Sequence, residues 1–362
     1  MRASGERAIV FAGHGRVEIR TIRVPPLRPR EVRVRTEVTG VSPGTDRWML
    51  EGRYRGVEAR YPFVYGYLRV GVVEEVGGDV PTLRPGDRVF LGLSGTRLDP
   101  ADGLGEEGGA YTSVAVADWT DAYRLPPDVS AEEAALAGLA AVSRRGVRLT
   151  GVREGDLVVV VGQGMIGQMA AQLCRARGSR VIAADILEER VALAGRWSAD
   201  VAVNTAVHSL PDVVRRERLA WGDPRGYGPR GPSPSVYETR RWREVDGGAD
   251  VVIDAVGNSA LVAQWIGLLR REGRLCLQGY FPDPLVLDYH PLHLRRATVV
   301  FPGGFDLDDY GAAVSLLREG RLHIAPLITH RLPATQAAEA FRLLLAEPGR
   351  VLGMVLDWRQ GE

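Results

Sequence analysis

The sequence predicts an α/β fold in two parts, a β-rich domain and a doubly wound parallel sheet. Two observations support this prediction. Residues 8–40 show alternating and β-branched patterns that are typical of strands, with no helical period. Between residues 157 and 304, short apolar runs alternate with helical patterns, as expected for parallel strands joined by helices.

The β-rich part continues beyond residue 40. A turn-rich segment enters a short helix between residues 40 and 52, and further strand patterns follow at 67–76, 84–93 and 110–117. Ser130 precedes two glutamates and an alanine-rich helical pattern, so we expect it to cap a helix. Residues 327–358 predict a strand, a helix and a final strand.

The rest of the chain is organised around residues 157–185. An apolar run that is typical of a strand buried on both faces ends in glycine, and Gly162, Gly164 and Gly167 follow with the spacing G-x-G-x-x-G. An amphipathic helical pattern comes next, and then a second strand pattern that ends in Asp185. A strand, glycine triplet, helix, second strand and terminal acid in one unit predict a dinucleotide site.

Each part of this unit has a physical role in that prediction. Gly162 permits a tight turn, Gly164 keeps a side chain away from a pyrophosphate, and Gly167 lets the helix pack closely on the strand. The phosphates would lie at the positive end of the helix dipole. Asp185 would accept hydrogen bonds from the ribose hydroxyls and would repel a 2′-phosphate, so we expect NAD(H) as the cofactor.

More strand and helix patterns follow, among them a strand at 199–203, a strand at 249–257, a helix at 259–271 and strands at 273–280 and 297–304. Residues 215–242 do not fit this alternation, because they are dense in Arg, Gly and Pro. We expect a surface insertion there. Its aromatic residues leave open a role as a lid or a subunit contact.

Composition excludes several classes of protein. The chain of 362 residues has a net charge of +1 and no lysine, so neither a nucleic-acid-binding surface nor Schiff-base chemistry is expected. Cys174 and Cys276 are the only cysteines, too few for a disulfide framework or a four-cysteine zinc site. With no signal peptide and no apolar run long enough to cross a bilayer, we expect a cytoplasmic protein without a membrane partner.

Several motifs in their order along the chain resemble the medium-chain dehydrogenase/reductase family. They are GVSPGTD at 40–46, YGYLRVGVVEEVG at 65–77, RPGDRV at 84–89, the glycine-rich unit at 153–178 and ADVVIDAVG at 249–257. The ending, 279–358, resembles the branch that contains the bacteriochlorophyllide dehydrogenase. The resemblance implies a GroES-like catalytic domain at 1–149 and 321–362 and a Rossmann nucleotide-binding domain at 150–320. It adds Met165, Ile166, Val256 and Gly257 to the expected cofactor site and implies a homodimer.

The chain departs from this family at the metal positions. Zinc-binding members carry a cysteine at the position of Ser42, a His-Glu pair at Tyr67-Leu68 and a cysteine or aspartate near Ala140. These side chains cannot complete a three-ligand zinc site, and residues 91–111, where the family's structural zinc lobe would lie, contain no cysteine. We therefore expect an enzyme that binds no zinc.

The resulting hypothesis is a zinc-independent, NAD-dependent oxidoreductase that interconverts a secondary alcohol and a ketone. Thr45, Asp46, Tyr67 and Ser42 are the candidate catalytic residues. Tyr67 would donate a hydrogen bond to the substrate oxygen, or act as acid or base if its pKa were lowered, and Asp46 would cap the short helix. Two alternatives stay open, an NAD(P)H-dependent quinone or enoyl reductase and a non-catalytic dinucleotide-binding sensor.

Overall fold

A computed structural model describes residues 5–54, 60–92, 95–105, 107–222 and 247–360. The fold divides into two compact units. The first unit comprises residues 1–138, 306–318 and 324–362, and the second comprises residues 139–305 and 319–323.

Strands and helices are numbered along the described chain. The strands are β1 (Glu6–Gly13), β2 (Arg16–Ile22), β3 (Glu31–Val41), β4 (Phe63–Val64), β5 (Arg69–Val76), β6 (Arg88–Leu91), β7 (Thr96–Arg97), β8 (Glu107–Gly108), β9 (Val114–Asp118), β10 (Ala122–Arg124), β11 (Leu157–Val161), β12 (Arg180–Asp185), β13 (Val201–Asn204), β14 (Ala249–Asp254), β15 (Leu269–Leu277), β16 (Thr298–Val300), β17 (Ile328–Pro333) and β18 (Gly353–Asp357). The helices are α1 (Pro43–Leu50), α2 (Ala131–Leu149), α3 (Met165–Arg175), α4 (Glu188–Trp197), α5 (Leu210–Trp221), α6 (Val262–Leu268), α7 (Tyr289–Arg295), α8 (Leu307–Arg318) and α9 (Ala337–Ala346).

The first unit is rich in β-structure, as the sequence predicts. Its main sheet runs in the order β10-β6-β5-β3-β18-β17, with β9 also paired to β3, and a smaller sheet runs β2-β1-β4. The C-terminal strand β18 is antiparallel to β3, so residues from the two ends of the chain share one sheet. Phe11, Tyr111 and Phe341 belong to one buried apolar cluster of this unit.

The boundaries of the two units differ from the expected domains 1–149, 150–320 and 321–362. Residues 306–318, which contain α8, belong to the first unit. The ring of Tyr310 stacks on Phe90 at 3.9 Å between centroids, and the Tyr310 hydroxyl donates to the Ala134 carbonyl at 2.7 Å. These contacts explain why α8 joins the β-rich unit although its sequence lies beside the parallel strands.

The second unit contains the parallel sheet. Its six strands run in the order β13-β12-β11-β14-β15-β16, and every neighbouring pair is parallel. This observation confirms the predicted α/β class. From β11 the chain builds the sheet outward in one direction through β12 and β13, and then in the other direction through β14. The strand order therefore reverses between β11 and β14, and in open α/β sheets ligands bind at the carboxyl ends of the strands beside such a reversal.

Two predictions about the second unit were wrong at their boundaries. Residues 215–221 were assigned to the insertion 215–242, but they form the end of helix α5, whose buried face includes Val213, Val214 and Glu217. The arginines of this segment made its amphipathic helical pattern hard to recognise. They lie on the other face of the helix or pair with acids, as Arg218 does with Asp250 at 2.5 Å. Residues 223–242 lie outside the described residues. The helix expected at 259–271 ends at Leu268, and β15 begins at Leu269.

The predicted cap of α2 is confirmed. The Ser130 hydroxyl accepts the Glu133 N–H at 3.2 Å, which caps the first turn, and donates to the Glu133 carboxylate at 2.8 Å. This helix carries Glu132 and Glu133 in its first turn, where the helix dipole favours negative charge. Among the helices of the described residues, α2 included, none has the length and apolar character needed to cross a membrane.

Candidate active site

The glycine triplet adopts the geometry that its spacing predicts. Gly162 follows β11 with φ +83°, which disfavours any residue with a side chain. A Cβ at Gly167 would overlap the carbonyl oxygen of Gly162, so the helix can approach the strand only with glycine there. Gly164 precedes the first residue of α3, and a Cβ placed on it would have no heavy atom of the described residues within 4 Å. Its backbone therefore faces open space.

Asp185 lies at the carboxyl end of β12 and closes this turn. One carboxylate oxygen accepts the Gln163 N–H at 2.6 Å, and the other accepts the Leu187 N–H at 2.9 Å. The residue is 8% exposed. Each carboxylate oxygen can accept more than one hydrogen bond, so the acid can hold the turn and still bind a hydroxyl group.

The segment that follows β14 packs against the glycine turn. A Cβ on Gly162 would lie 2.8 Å from Cγ2 of Val256, and Gly257 has φ +72°. Asp254 organises this segment, because its carboxylate accepts the Val256 N–H at 2.9 Å and also the Gly257 N–H. Burial raises the pKa of Asp254 to about 6. Sequence reasoning missed this acid, although its place at the end of a strand bordering β11 was a usable signal.

These residues fit a dinucleotide. The first N–H groups of α3, which begins at Met165 and Ile166, have no acceptor within their own helix, and the space beside Gly164 just before them is open. Such a helix start favours an anion. The turn, the helix start and Asp185 could hold the pyrophosphate and the adenosine ribose of NAD(H).

A second group of polar residues lies in the first unit around the start of α1. Ser42 is the residue before α1, Thr45 lies in its first turn, and Tyr67 lies two residues before β5. The phenol of Tyr67 is within hydrogen-bonding reach of both the Ser42 and the Thr45 hydroxyls. The structure thus brings these three predicted catalytic residues together, and the fourth, Asp46, is bonded to the Ser42 N–H. Ser42 is buried, whereas Thr45 and Tyr67 are half-buried.

Asp46, the fourth predicted residue, is 1% exposed and lies inside α1 rather than before it. One carboxylate oxygen accepts two donors, the Ser42 N–H at 2.7 Å and the hydroxyl of Tyr111. The expected capping role is therefore met by an acid that reaches back to the helix start. Sequence reasoning missed Tyr111, which is distant along the chain and lies in a segment without a motif.

Burial sets the ionisation of this group. It raises the pKa of Asp46 to about 7, against the opposing effect of the donors Tyr111 and Ser42. Burial, together with the nearby Asp46 carboxylate, also raises the pKa of Tyr67 well above its usual range. A raised pKa does not support the prediction that Tyr67 acts as acid or base through a lowered pKa, and its catalytic role stays a prediction. Its phenol stays protonated at neutral pH and can serve as a hydrogen-bond donor.

The side chains at the family's metal positions do not fit zinc. Ser42 and Tyr67 offer only hydroxyl groups, while Leu68 and Ala140 are buried and offer no donor atom. In the part of the chain that the structure describes, no group of three or more His, Cys, Asp or Glu side chains could hold a metal ion. The chemistry that these four positions can support is hydrogen bonding through hydroxyl groups.

Two family models match this chain. The alcohol dehydrogenase GroES-like domain matches residues 28–127, and the zinc-binding dehydrogenase model matches residues 166–319. The two regions follow one another in the order expected from the sequence motifs, and together they cover more than half of the chain.

Relatives and solved structures agree with these matches. A 2-desacetyl-2-hydroxyethyl bacteriochlorophyllide A dehydrogenase of Cereibacter sphaeroides is 28% identical over 360 residues, covering 97% of this chain and 98% of that protein. A short chain alcohol dehydrogenase from E. coli CFT073, solved with NADH, superposes with TM-score 0.79 at 20% identity, covering 98% of this chain and 99% of the other. A protein of Sinorhizobium meliloti 1021 assigned as a zinc-binding dehydrogenase and bound to NADP superposes with TM-score 0.77 at 22% identity and the same coverage.

At these identities the two solved structures show the fold alone, whereas the family models also show the family to which the chain belongs. The paired match of a GroES-like domain and a dehydrogenase domain agrees with the β-rich unit, the six-stranded parallel sheet and the glycine-rich turn described above. The chain belongs to the medium-chain dehydrogenase/reductase superfamily, which includes the zinc-type alcohol dehydrogenases, and it is an oxidoreductase.

Proposed function

We propose that this protein is an NAD-dependent dehydrogenase that interconverts a secondary alcohol and a ketone without zinc. The single observation that carries the proposal is the position of Asp185, whose carboxylate stands at the end of β12 and accepts N–H groups on both sides of the nucleotide turn. A ribose carrying free hydroxyls suits this acid, whereas a 2′-phosphate would meet its negative charge. The neighbouring Glu188 and Glu189 add to that repulsion.

The protein's own residues would handle one proton and orient the substrate. When bound, the nicotinamide supplies hydride transfer to or from the carbinol carbon. In the oxidation direction the O–H proton leaves as the C=O bond forms. The Tyr67 oxygen would accept this proton as the Tyr67 O–H proton passes to the Thr45 hydroxyl, whose own proton is released to water, and the Ser42 hydroxyl is a further hydrogen-bond partner of the phenol. In the reduction direction the same transfers run in reverse, and the Tyr67 O–H is donated to the developing alkoxide. This arrangement replaces metal polarisation with hydrogen bonding to the developing charge.

The donor set supports zinc independence. A catalytic zinc needs three protein ligands of the N, S or carboxylate type. Ser42, Tyr67 and Leu68 provide none of these donors, and the buried acid Asp46 is engaged by Ser42 and Tyr111. Metal analysis of the purified protein beside its activity tests this part of the proposal.

Cofactor titration tests the main part. Fluorescence titration of the purified protein with NADH and with NADPH is expected to give tighter binding of NADH by at least about tenfold, which corresponds to about 1.4 kcal/mol. Tighter binding of NADPH would overturn the assignment. Asp185→Asn removes the charge and keeps an acceptor oxygen for one of the two N–H groups of the turn. This variant should reduce the preference for NADH over NADPH.

The reaction class is tested with two substrate panels. Secondary alcohols with NAD⁺, and the matching ketones with NADH, are expected to change the nicotinamide absorbance. Turnover confined to quinones or conjugated enones would favour a quinone or enoyl reductase. Tight NADH binding with no turnover in either panel would favour a non-catalytic sensor.

A further inference from the structure

Arg69 is an unusual residue for the interior of a protein. It lies at the start of β5 and is 0% exposed. Its guanidinium donates to the Ala110 carbonyl at 3.1 Å, the Gly109 carbonyl at 3.0 Å, and the hydroxyls of Thr96 and Thr112 at 2.8 Å each. All four acceptors are neutral. Burial lowers the pKa of the Arg69 guanidinium to about 9, so the protein keeps this charge in the core at a cost.

The groups that accept hydrogen bonds from Arg69 show which segment it fixes. Three of them belong to residues 109–112, the connection between β8 and β9, and the fourth, Thr96, lies on β7. The opposite edge of the connection is fixed by backbone bonds, with the Ala110 N–H donating to Gly66 and the Tyr111 N–H to Tyr65 at 2.8 and 2.9 Å. The connection is therefore held between the guanidinium on one side and residues 65–66 on the other.

Tyr111 stands in the middle of this connection. Its ring lies against the backbone of Gly66, where a Cβ would come within 3.0 Å of the ring, and edge-on to Phe341 at 5.7 Å between centroids. Its hydroxyl donates to Asp46. The bonds from Arg69 thus fix the backbone from which the Asp46 donor extends.

We infer that Arg69 is a positioning residue of the candidate site, because its guanidinium fixes the backbone around Tyr111 so that the phenol reaches Asp46. Coulomb pairing does not explain this buried cation, because the four groups that accept its hydrogen bonds are neutral. An apolar side chain of similar length could fill the same space but could not hold two carbonyls and two hydroxyls at once.

The titration of Asp46 reports this role. The titratable groups that act on or with its carboxylate are Tyr111, which donates to it, and Tyr67, whose charge couples to it; on the same helix, Arg47 is paired with Glu51 at 3.0 Å. The hydrogen bond from Tyr111 lowers the pKa of Asp46. A displaced phenol must therefore raise that pKa, by about one to two units for a bond to a charged acceptor.

The experiment compares each protein with the same protein carrying Asp46→Asn. The pH dependence of the difference in unfolding free energy gives the Asp46 titration midpoint. We expect a midpoint near 7 in the unaltered chain and an upward shift of about one to two units in Arg69→Met and in Tyr111→Phe. The double variant should shift no further than Tyr111→Phe alone. The matched control is Arg97→Met, which removes an arginine on β7 that pairs with Glu31 at 2.6 Å and should leave the midpoint unchanged.

An unchanged midpoint in Arg69→Met, or additive shifts in the double variant, would overturn the inference. Should Arg69→Met fail to fold, Thr112→Val removes one acceptor of Arg69 together with the bond that this hydroxyl donates to the Val114 carbonyl at 2.7 Å. A smaller upward shift then supports the inference, and none contradicts it. A parallel shift in the pH profile of kcat/KM is also expected, and this readout alone rests on the proposed dehydrogenase activity. A shifted midpoint in a protein without turnover would refute the proposed function and leave the positioning role standing.

Discussion

Replacing Asp46 with asparagine should remove a pH-dependent penalty on folding. Asp46 is 1% exposed, and burial raises its pKa from 3.8 to about 7. Between these values the unfolded chain has released the proton while the folded protein still holds it. The free energy of unfolding must therefore fall as pH rises through this window. The penalty is absent below about pH 4 and complete above about pH 7.

The structure sets the size of this effect. A shift of about three units, at ~1.4 kcal/mol per unit, gives a penalty of about 4 kcal/mol at neutral pH. The asparagine of Asp46→Asn can imitate the protonated acid, because both donors, the Ser42 N–H and the Tyr111 hydroxyl, use the same carboxylate oxygen. An amide oxygen placed there keeps both bonds. The amide nitrogen would add a cost that does not change with pH.

Urea unfolding of the unaltered chain and of Asp46→Asn, at intervals from pH 4 to pH 8, measures the effect. The stability of Asp46→Asn relative to the unaltered chain should rise by about 4 kcal/mol across this range. Asp128→Asn is the control: Arg318 lowers the pKa of this exposed acid, so its contribution to stability changes only below about pH 4 and should stay nearly constant from pH 4 to pH 8. A stability difference between Asp46→Asn and the unaltered chain that stays constant from pH 4 to pH 8 would refute the reasoning.

Three further predictions concern the nucleotide turn and the polar group around α1. Gly167→Ala should lower the free energy of unfolding in urea by at least ~2 kcal/mol, because the added Cβ overlaps the Gly162 carbonyl. Gly164→Ala should unfold like the unaltered chain, because a Cβ there meets no heavy atom of the described residues within 4 Å. This variant should nevertheless bind NADH at least about tenfold more weakly in a titration. Asp185→Asn should weaken NADH binding more than NADPH binding. If both cofactors lost affinity equally, Asp185 would not determine which cofactor is preferred. Tyr67→Phe should lower kcat by about 10²-fold in steady-state assays with little change in cofactor affinity, and a wild-type kcat would remove Tyr67 from the chemistry.

The sequence predicted the parallel sheet and its nucleotide turn because those features depend on local patterns. An apolar strand, a glycine triplet and an amphipathic helix leave their marks within thirty residues, roughly the length of one βαβ unit. The composition of residues 215–221 misled the prediction, since arginine-rich residues on one face of a helix resemble a loop when burial is unknown.

Contacts between distant segments could not be predicted in this way. Tyr111 lies 65 positions from Asp46, and Arg69 lies more than 40 positions from Ala110 and sits inside a strand pattern where an apolar residue is expected. The ionisation of Asp46 and Tyr67 depends on burial, which no local pattern specifies. For these reasons the geometry of the glycine turn could be predicted from the sequence, while the contacts of the polar group around α1 could be predicted only in part.

One measurement tests the central claim most directly. The purified protein is treated with a strong chelator, its zinc content is measured, and the rate of NADH-dependent ketone reduction is recorded on the same sample before and after treatment. The account predicts less than about one tenth of a zinc ion per chain and an unchanged rate, because the chain offers hydroxyl groups where a three-ligand zinc site would be needed. Stoichiometric zinc together with a rate that disappears on chelation and returns on adding zinc would contradict it.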